Sequence, residues 1–279
     1  MGVFILLKAS LWFIKDERGK NNMLNFRNAN IFFILLLAVL VGIHIQYGLP
    51  FYIYYLLFIA YSLILFWGCV NVSSNFFIPI VCRAATDKKE IAISFDDGPS
   101  KNYTAAILEI LKSENVKATF FCIGNRIAGN EHILKQIKEE GHILGNHSNS
   151  HHFWFDMYSA KKMQDDLKQM DTAMETVTGL KPKLFRPPYG VTNPNVKKAI
   201  INGGYTPVGW SVRSMDTVIK DKNKLLSKIN AAIKPGAVFL FHDTSKTTVQ
   251  ALPEFIQEVK KRGYEIIPLD KLLALTAYA

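Results

Sequence analysis

The sequence predicts an α/β chain, an incomplete (β/α)7-type barrel of parallel strands preceded by an N-terminal transmembrane helical hairpin. Three observations predict it. First, charge is partitioned: residues 28–82 contain no Lys, Arg, Asp or Glu, so all 56 charges of the 279-residue chain fall on the other 224 residues, about one in four. That fraction is ordinary for a globular domain. Second, from residue 91 onward short apolar runs alternate with stretches of helical spacing. Third, reactive polar residues collect at the C-terminal ends of those runs, where barrels of this kind carry their chemistry.

The boundaries follow: 1–27 a basic N-terminal segment, 28–82 a membrane segment, 83–90 a linker and 91–279 a globular domain. Within the membrane segment, 31–45 is an apolar run of 15 residues and 49–70 a second of 22, separated by Gln46-Tyr47-Gly48. A bilayer core takes about 20 apolar residues per helix, so two helices are expected over about 30–47 and 49–70. Tyr52, Tyr54, Tyr55, Tyr61 and Trp67 suit an interfacial position. Buried helices of a soluble protein are excluded, because 55 residues without charge leave no solvent-facing stripe. A cleaved signal peptide fits poorly, since the first run starts about 30 residues in and the second is too long for an h-region.

The chain is therefore expected to be an integral membrane protein. Lys8, Lys15, Arg18, Lys20 and Arg27 before the hairpin and Arg83, Lys88 and Lys89 after it favour cytoplasmic flanks. A start at Met23 would remove four of the five N-terminal charges. A single span or an inverted hairpin would put the domain on the outer side instead, and the two readings stay open together.

In the domain, strands are expected at 91–95, 118–122, 142–146, 184–186, 206–212, 237–242 and 264–268. Helices are expected at 104–113, 131–139, 159–178, 195–202, 222–233 and 249–261. Seven strands alternating with helices imply a parallel sheet covered by helices. Asp-Asp-Gly-Pro stands after the first strand in place of a glycine-rich phosphate loop, so no nucleotide is expected. The net charge of +10 comes from lysines scattered along helices, with no interleaved aromatics, and nucleic acid is not expected either. Cys69, Cys82 and Cys122 make no even disulfide framework.

Five strand ends bear the candidate chemistry. Asp96-Asp97 follow the first strand, His147 the third, Arg186 the fourth, Asp216 lies past the fifth, and His242-Asp243 end the sixth. His147 and His151, four residues apart in a turn-like segment, can grip one ion together with Asp97. Two imidazoles and a carboxylate with open positions suit a catalytic divalent metal, Zn²⁺ most simply, with Co²⁺, Ni²⁺ or Fe²⁺ as alternatives. Asp96 is then a carboxylate beside the metal that can take a proton from water, with Arg186 to hold it ionised. His242 faces them as an acid, oriented by Asp216. No Ser or Cys nucleophile is paired with a base, so the set describes hydrolysis without a covalent intermediate. The other histidines, His44, His142 and His152, read as structural, and Cys122 as an inert core thiol. Phe153, Trp154 and Phe155 form either a sugar platform or an apolar loop packed on the rim.

Five motifs stand in order: Ser94-Phe95-Asp96-Asp97-Gly98-Pro99, His147-Ser148-Asn149-Ser150-His151, Arg186-Pro187-Pro188-Tyr189-Gly190, Trp210 through Asp216, and Leu240-Phe241-His242-Asp243. They resemble those of the polysaccharide deacetylases, carbohydrate esterase family 4 with its NodB-homology domain, over about 88–273. The resemblance implies hydrolysis of acetyl groups from sugars, with Asp96 as base, His242 as acid, Asp216 and Arg186 as their orienting partners, and Asp97, His147 and His151 as metal ligands. It further implies that the Tyr189 N–H stabilises the oxyanion, that Leu240 lines the acetyl methyl pocket, and that Pro188 and Trp210 lie against the substrate. Thr217 follows Asp216 where the family often carries Trp, and Arg213 occupies a place often acidic. The expected activity is metal-dependent deacetylation of an N-acetylated glycan of peptidoglycan or chitin type. The alternatives are a deacylase of a lipid-linked sugar and an O-acetyl, xylan-type esterase, and a silent glycan-binding protein is disfavoured by the intact ligand set.

Overall fold

The charge-free segment forms two antiparallel helices, α1 (Phe26–Tyr47) and α2 (Tyr52–Val70), in a computed structural model that describes residues 23–279. The N-terminal charges Lys8, Lys15, Arg18 and Lys20 lie outside the described residues. The side chain of Asn25 caps α1 by accepting the Asn28 N–H, which starts the helix four residues before the expected position. At 1.5 Å per residue the helices are about 33 and 28 Å long, close to the bilayer core of about 30 Å. α1 buries only Ala29 and α2 only Gly68, while Phe32, Leu35, Phe58 and Phe66 point outward. Tyr61 Oη donates to Asn30 Oδ1 and Tyr54 Oη to the Leu40 carbonyl at 3.1 Å. Both helices qualify as candidate membrane spans by length and composition.

After α2 the chain does not run free. Val72, Ile78, Ile80 and Cys82 are buried in one cluster with Phe185, Val196 and Ile200 of the domain. Val81 N–H donates to the Pro207 carbonyl, the Gly209 N–H donates to the Val81 carbonyl, and the Ala84 N–H donates to the Gly236 carbonyl. The polar linker expected at 83–90 is thus pinned to the sheet, and the apolar character of 72–82 reflects domain packing. The end of α2 is tied down as well: Thr192 donates its N–H to the Cys69 carbonyl at 2.9 Å and its hydroxyl to the Gly68 carbonyl at 3.3 Å. A Cβ on Gly68 would meet the Phe76 ring at 2.3 Å, so only glycine lets the helix approach this closely.

Eight parallel strands follow: β1 (Glu90–Asp96), β2 (Thr119–Cys122), β3 (Ile143–Asn146), β4 (Leu184–Phe185), β5 (Thr206–Pro207), β6 (Val212–Arg213), β7 (Val238–His242) and β8 (Glu265–Ile266). The spatial order is β5-β4-β3-β2-β1-β7-β6, with β8 beside the start of β1. One expected strand, 206–212, is therefore two short ones, and each ends the sheet on its own side. The same stretch of chain closes the curl: β5 pairs with β4 and β6 with β7.

Helices α3 (Thr104–Ser113), α4 (Glu131–Glu139), α5 (Ala160–Thr178), α6 (Pro194–Gly203), α7 (Lys222–Ala231) and α8 (Lys246–Lys261) cover the outside, within a few residues of their expected ranges. An unexpected short helix, α9 (Leu269–Leu273), plugs the lower end with Leu269 and Leu272. The strand alternation separates two cores. Ile91, Ile93, Phe95, Phe239 and Phe241 pack outward on the helices. Ala92, Phe121, Leu184 and Val238 fill the lumen. Asp96, Leu240 and His242 sit on the inward phase at the upper strand ends, and the register places Asp96 directly beside His242.

Candidate active site

Arg186 follows β4 and is fully buried in the lumen. It occupies the gap left by the broken strand. Its Nε donates to the Val208 carbonyl at 3.2 Å and its Nη2 to the Gly209 carbonyl at 2.8 Å, so these two carbonyls, with no strand partner of their own, are satisfied by a guanidinium. Nη1 donates to Ser94 Oγ at 2.8 Å and to Asp96 Oδ1 at 2.7 Å. The guanidinium plane lies 4.0 Å over the Phe121 ring. Burial pulls its pKa down and the Asp96 carboxylate opposes this. The remaining oxygen of Asp96, Oδ2, points toward His147 Nε2 at 3.8 Å.

Asp97, His147 and His151 converge as the sequence predicts. Asp97 Oδ1 lies 3.6 Å from His147 Nε2 and 3.4 Å from His151 Nε2. Tetrahedral bonds of about 2.1 Å place ligand atoms about 3.4 Å apart, so the three groups fit a divalent cation. His147 Nδ1 donates to the Arg186 carbonyl at 2.8 Å, which leaves the Nε2 lone pair for a metal. Burial, and then the charge of His147, push the His151 pKa down to about 4, so its ring is neutral and available as a ligand.

The carrier of the two imidazoles is a loop, held by Asp166, whose carboxylate accepts the Asn149 and Ser150 N–H groups. Asp97, Ser148, His151, Tyr189 and Met215 all have positive φ. Non-glycine residues avoid this conformation unless their surroundings impose it, and such residues cluster at functional sites.

On the opposite wall His242 Nδ1 meets Asp216 Oδ1 at 2.7 Å. Asp216 Oδ2 accepts the His242 N–H at 2.7 Å and the Thr248 hydroxyl. Burial raises the Asp216 pKa, but its bonds to His242 and Thr248 outweigh this and hold it below the usual range. For His242 burial pulls down, while the Asp216 bond and charge prevail and hold the imidazole above its usual value. The carboxylate thus favours the imidazolium form of its partner, and His242 lines the cavity.

The cavity between the walls has a volume of about 200 Å³, and Pro187, Tyr189, Gly190, Trp210, Arg213, Thr217 and Leu240 complete its lining. Pro188 is buried behind it, and Pro187 takes the lining place expected of Pro188. Tyr189 packs edge-on against His151 at 4.8 Å between ring centres. Of the aromatic run, Phe155 is buried, whereas Phe153 and Trp154 are exposed on the rim. His152 accepts the Trp154 N–H and stacks on Tyr158, a structural role as expected. Cys122 is buried, and burial drives its thiol pKa well up.

Two supports carry no role in the sequence reading. Asp243, pushed up to about 7 by burial, accepts the Thr104 hydroxyl and sits against the turn that carries Asp97. A Cβ on Gly98 would fall 1.9 Å from its carboxylate. Asn146 anchors the end of β3 to α5 through the Leu167 carbonyl and Asp171.

Comparison with known proteins agrees with this geometry. The sequence profile of the polysaccharide deacetylases matches residues 83–208. A peptidoglycan-N-acetylmuramic acid deacetylase, PdaA of Bacillus subtilis, is 34% identical over 192 residues, 67% of this chain and 73% of that protein. The chain belongs to the polysaccharide deacetylase family. The peptidoglycan-N-acetylglucosamine deacetylase PgdA of Listeria monocytogenes is 36% identical over 195 residues, 70% of this chain. The matched stretch spans only 41% of the Listeria protein. Among solved structures, the Bc1960 peptidoglycan N-acetylglucosamine deacetylase superposes with a TM-score of 0.67 at 29% identity, covering 71% of this chain and 94% of that one. The curled parallel sheet is the common frame of this deacetylase family member and its relatives.

Proposed function

We propose that the protein is a metal-dependent deacetylase of an N-acetylated glycan of peptidoglycan type. The observation that carries this reading is the meeting of Asp97, His147 and His151 with Asp96–Arg186 on one wall and His242–Asp216 on the other, around a single cavity. The metal of choice is Zn²⁺, with Co²⁺, Ni²⁺ or Fe²⁺ as alternatives. When bound, it supplies a Lewis acid for the acetyl carbonyl. Asp96, ion-paired with Arg186, takes a proton from the attacking water. The Tyr189 N–H donates to the developing oxyanion, Leu240 packs on the acetyl methyl, and Trp210 floors the cavity. The His242 imidazolium, steadied by Asp216, gives its proton to the leaving nitrogen, and acetate and a free amine result. The names of the Listeria and Bacillus relatives support peptidoglycan as the polymer.

The hairpin α1–α2 is the membrane anchor in this reading. Its two domain-side ends meet in one cluster of Phe26, Ala29, Phe76 and Phe77, which supports an even number of spans with both flanks on one side. The test of function is acetate release from peptidoglycan, chitin oligomers and acetylxylan, with and without chelator. Release from peptidoglycan that chelator abolishes and added Zn²⁺ restores is the expected result. Chelator-resistant release, or none, overturns the proposal. Retention of the full chain in carbonate-washed membranes, and its loss when 28–70 is deleted, tests the anchor.

A further inference from the structure

Every charged group on the two walls of the cavity is matched by a neighbour except Arg213. Asp96 pairs with Arg186, His242 with Asp216, and Asp97 faces two imidazoles. Arg213 lines the same cavity. Among the described residues its guanidinium meets neither carboxylate nor carbonyl; its neighbour is the Trp210 ring, 5.8 Å away. Strand register sets its direction. Val212 lies beside the outward-facing Phe239 and Arg213 beside the inward-facing Leu240. A register partner on an adjacent strand is about 4.8 Å away, so the Arg213 side chain rises from the strand position next to Leu240 and shares its cavity.

An exposed cation in water needs no partner. A sugar that closes the cavity removes that water, and a guanidinium left covered and unpaired is costly. A neutral sugar imposes this cost, whereas an oxyanion accepts the guanidinium fork and removes it.

We propose that Arg213 forms an anion subsite beside the acetyl pocket, and that the preferred substrate is an acetamido sugar bearing a negative charge on a carbon that flanks the acetamido carbon. In a 2-acetamido sugar those carbons are C1 and C3. The charge is then a carboxylate on an ether at C3, as in muramic acid, or a phosphate ester at C1, as in a lipid-linked sugar. This rests on the deacetylase reading, which places the acetyl methyl at Leu240.

The experiment uses the full chain in detergent with Zn²⁺, and the variants Arg213→Met, which keeps the stem, and Arg213→Lys, which keeps the charge. Three probes are compared: an N-acetylmuramic acid-containing tetrasaccharide, N-acetylglucosamine 1-phosphate and neutral chitotetraose. Both kcat/KM for acetate release and affinity by calorimetry are read. The wild type is expected to favour at least one anionic probe over the neutral one, and Arg213→Met to lower that preference about tenfold or more, mainly through KM, with Arg213→Lys recovering part of it. Whichever anionic probe responds identifies the position of the charge. No preference in the wild type, or an equal loss on charged and neutral probes in Arg213→Met, overturns the subsite and leaves Arg213 as packing on Trp210. The calorimetric arm separates the two claims. An anion preference abolished by Arg213→Met without acetate release from any probe upholds the subsite and overturns the deacetylase reading.

Discussion

Arg186 donates four hydrogen bonds inside a closed lumen, two to broken-strand carbonyls, one to Ser94 and one to Asp96. Structure and chemistry therefore share one side chain. Replacing one partner of a buried ion pair leaves the other charge uncompensated, at a cost of about 3–5 kcal/mol. Arg186→Met is expected to lower the unfolding free energy in urea by about that amount and to reduce kcat by about 100-fold or more; a variant of wild-type stability would contradict the assignment. Asp96→Asn, which keeps an oxygen for Arg186, is expected to cost about 100- to 10,000-fold in kcat with little change in the near-ultraviolet circular dichroism spectrum. Gly98→Ala is a third case. The new methyl displaces the Asp243 carboxylate and with it the turn that aims Asp97, so Zn²⁺ affinity is expected to fall about 10- to 100-fold, as read by competition with a chromogenic chelator. The convergence of Asp96, Asp97, His147, His151 and His242 on one cavity was legible because each belongs to a short local motif. The Asp243–Thr104–Gly98 support was not, because it joins residues 139 positions apart through packing that no local pattern records.

Among elements, the strand expected at 206–212 is the instructive difference. Its seven residues read as one strand-like run, yet its carbonyls turn inward at Val208 and Gly209 to meet Arg186. Periodicity registers which residues are apolar, and it is blind to a side chain from another strand that supplies the missing partners. α9 was missed for a simpler reason: five residues are too few to show a helical period. The β2–β3 pairing yields a prediction of its own. His142, ahead of β3, accepts the Ala118 N–H through Nδ1. Burial pushes its pKa down to about 4, Lys117 adds to this, and Glu140 opposes it. The unfolded chain takes up the proton near pH 6.5, so the neutral ring stabilises the fold fully above that pH. This contribution is lost as pH falls from about 6.5 toward 4, and it amounts to about 3 kcal/mol. Urea denaturation at pH 7, 5.5 and 4 should follow this slope, and His142→Gln, whose amide oxygen still accepts the Ala118 N–H, should flatten it. An unchanged slope in His142→Gln would assign the acid sensitivity elsewhere.

At the scale of the molecule, the two apolar helices and the domain meet through the segment 72–83. Composition alone drew its border at the first charge, Arg83, because apolar residues that enter a bilayer and apolar residues that enter a domain core read alike. Packing separates them: Ile78, Ile80 and Cys82 are buried against Phe185 and Val196. A chain starting at 72 is therefore expected to fold as a stable domain. One starting at 87 loses several core side chains and the Val81 bonds, at several kcal/mol, and is expected to melt at least 10 °C lower or to aggregate on expression. Equal melting temperatures for the two would place the border where composition drew it.

The tie between Thr192 and the last carbonyls of α2 bears on where the protein can work. An enzyme on a flexible leash of n residues explores roughly 5–6 Å × √n around its anchor. Here the leash has no slack: helix end and catalytic loop are bonded directly, two residues beyond Gly190. With α1 and α2 in a bilayer, the mouth of the site rides at one fixed altitude above the lipid. If the protein is the membrane-anchored deacetylase proposed above, glycan strands farther out pass beyond its reach, and it would edit only the innermost layer, or whatever the membrane itself delivers at that height.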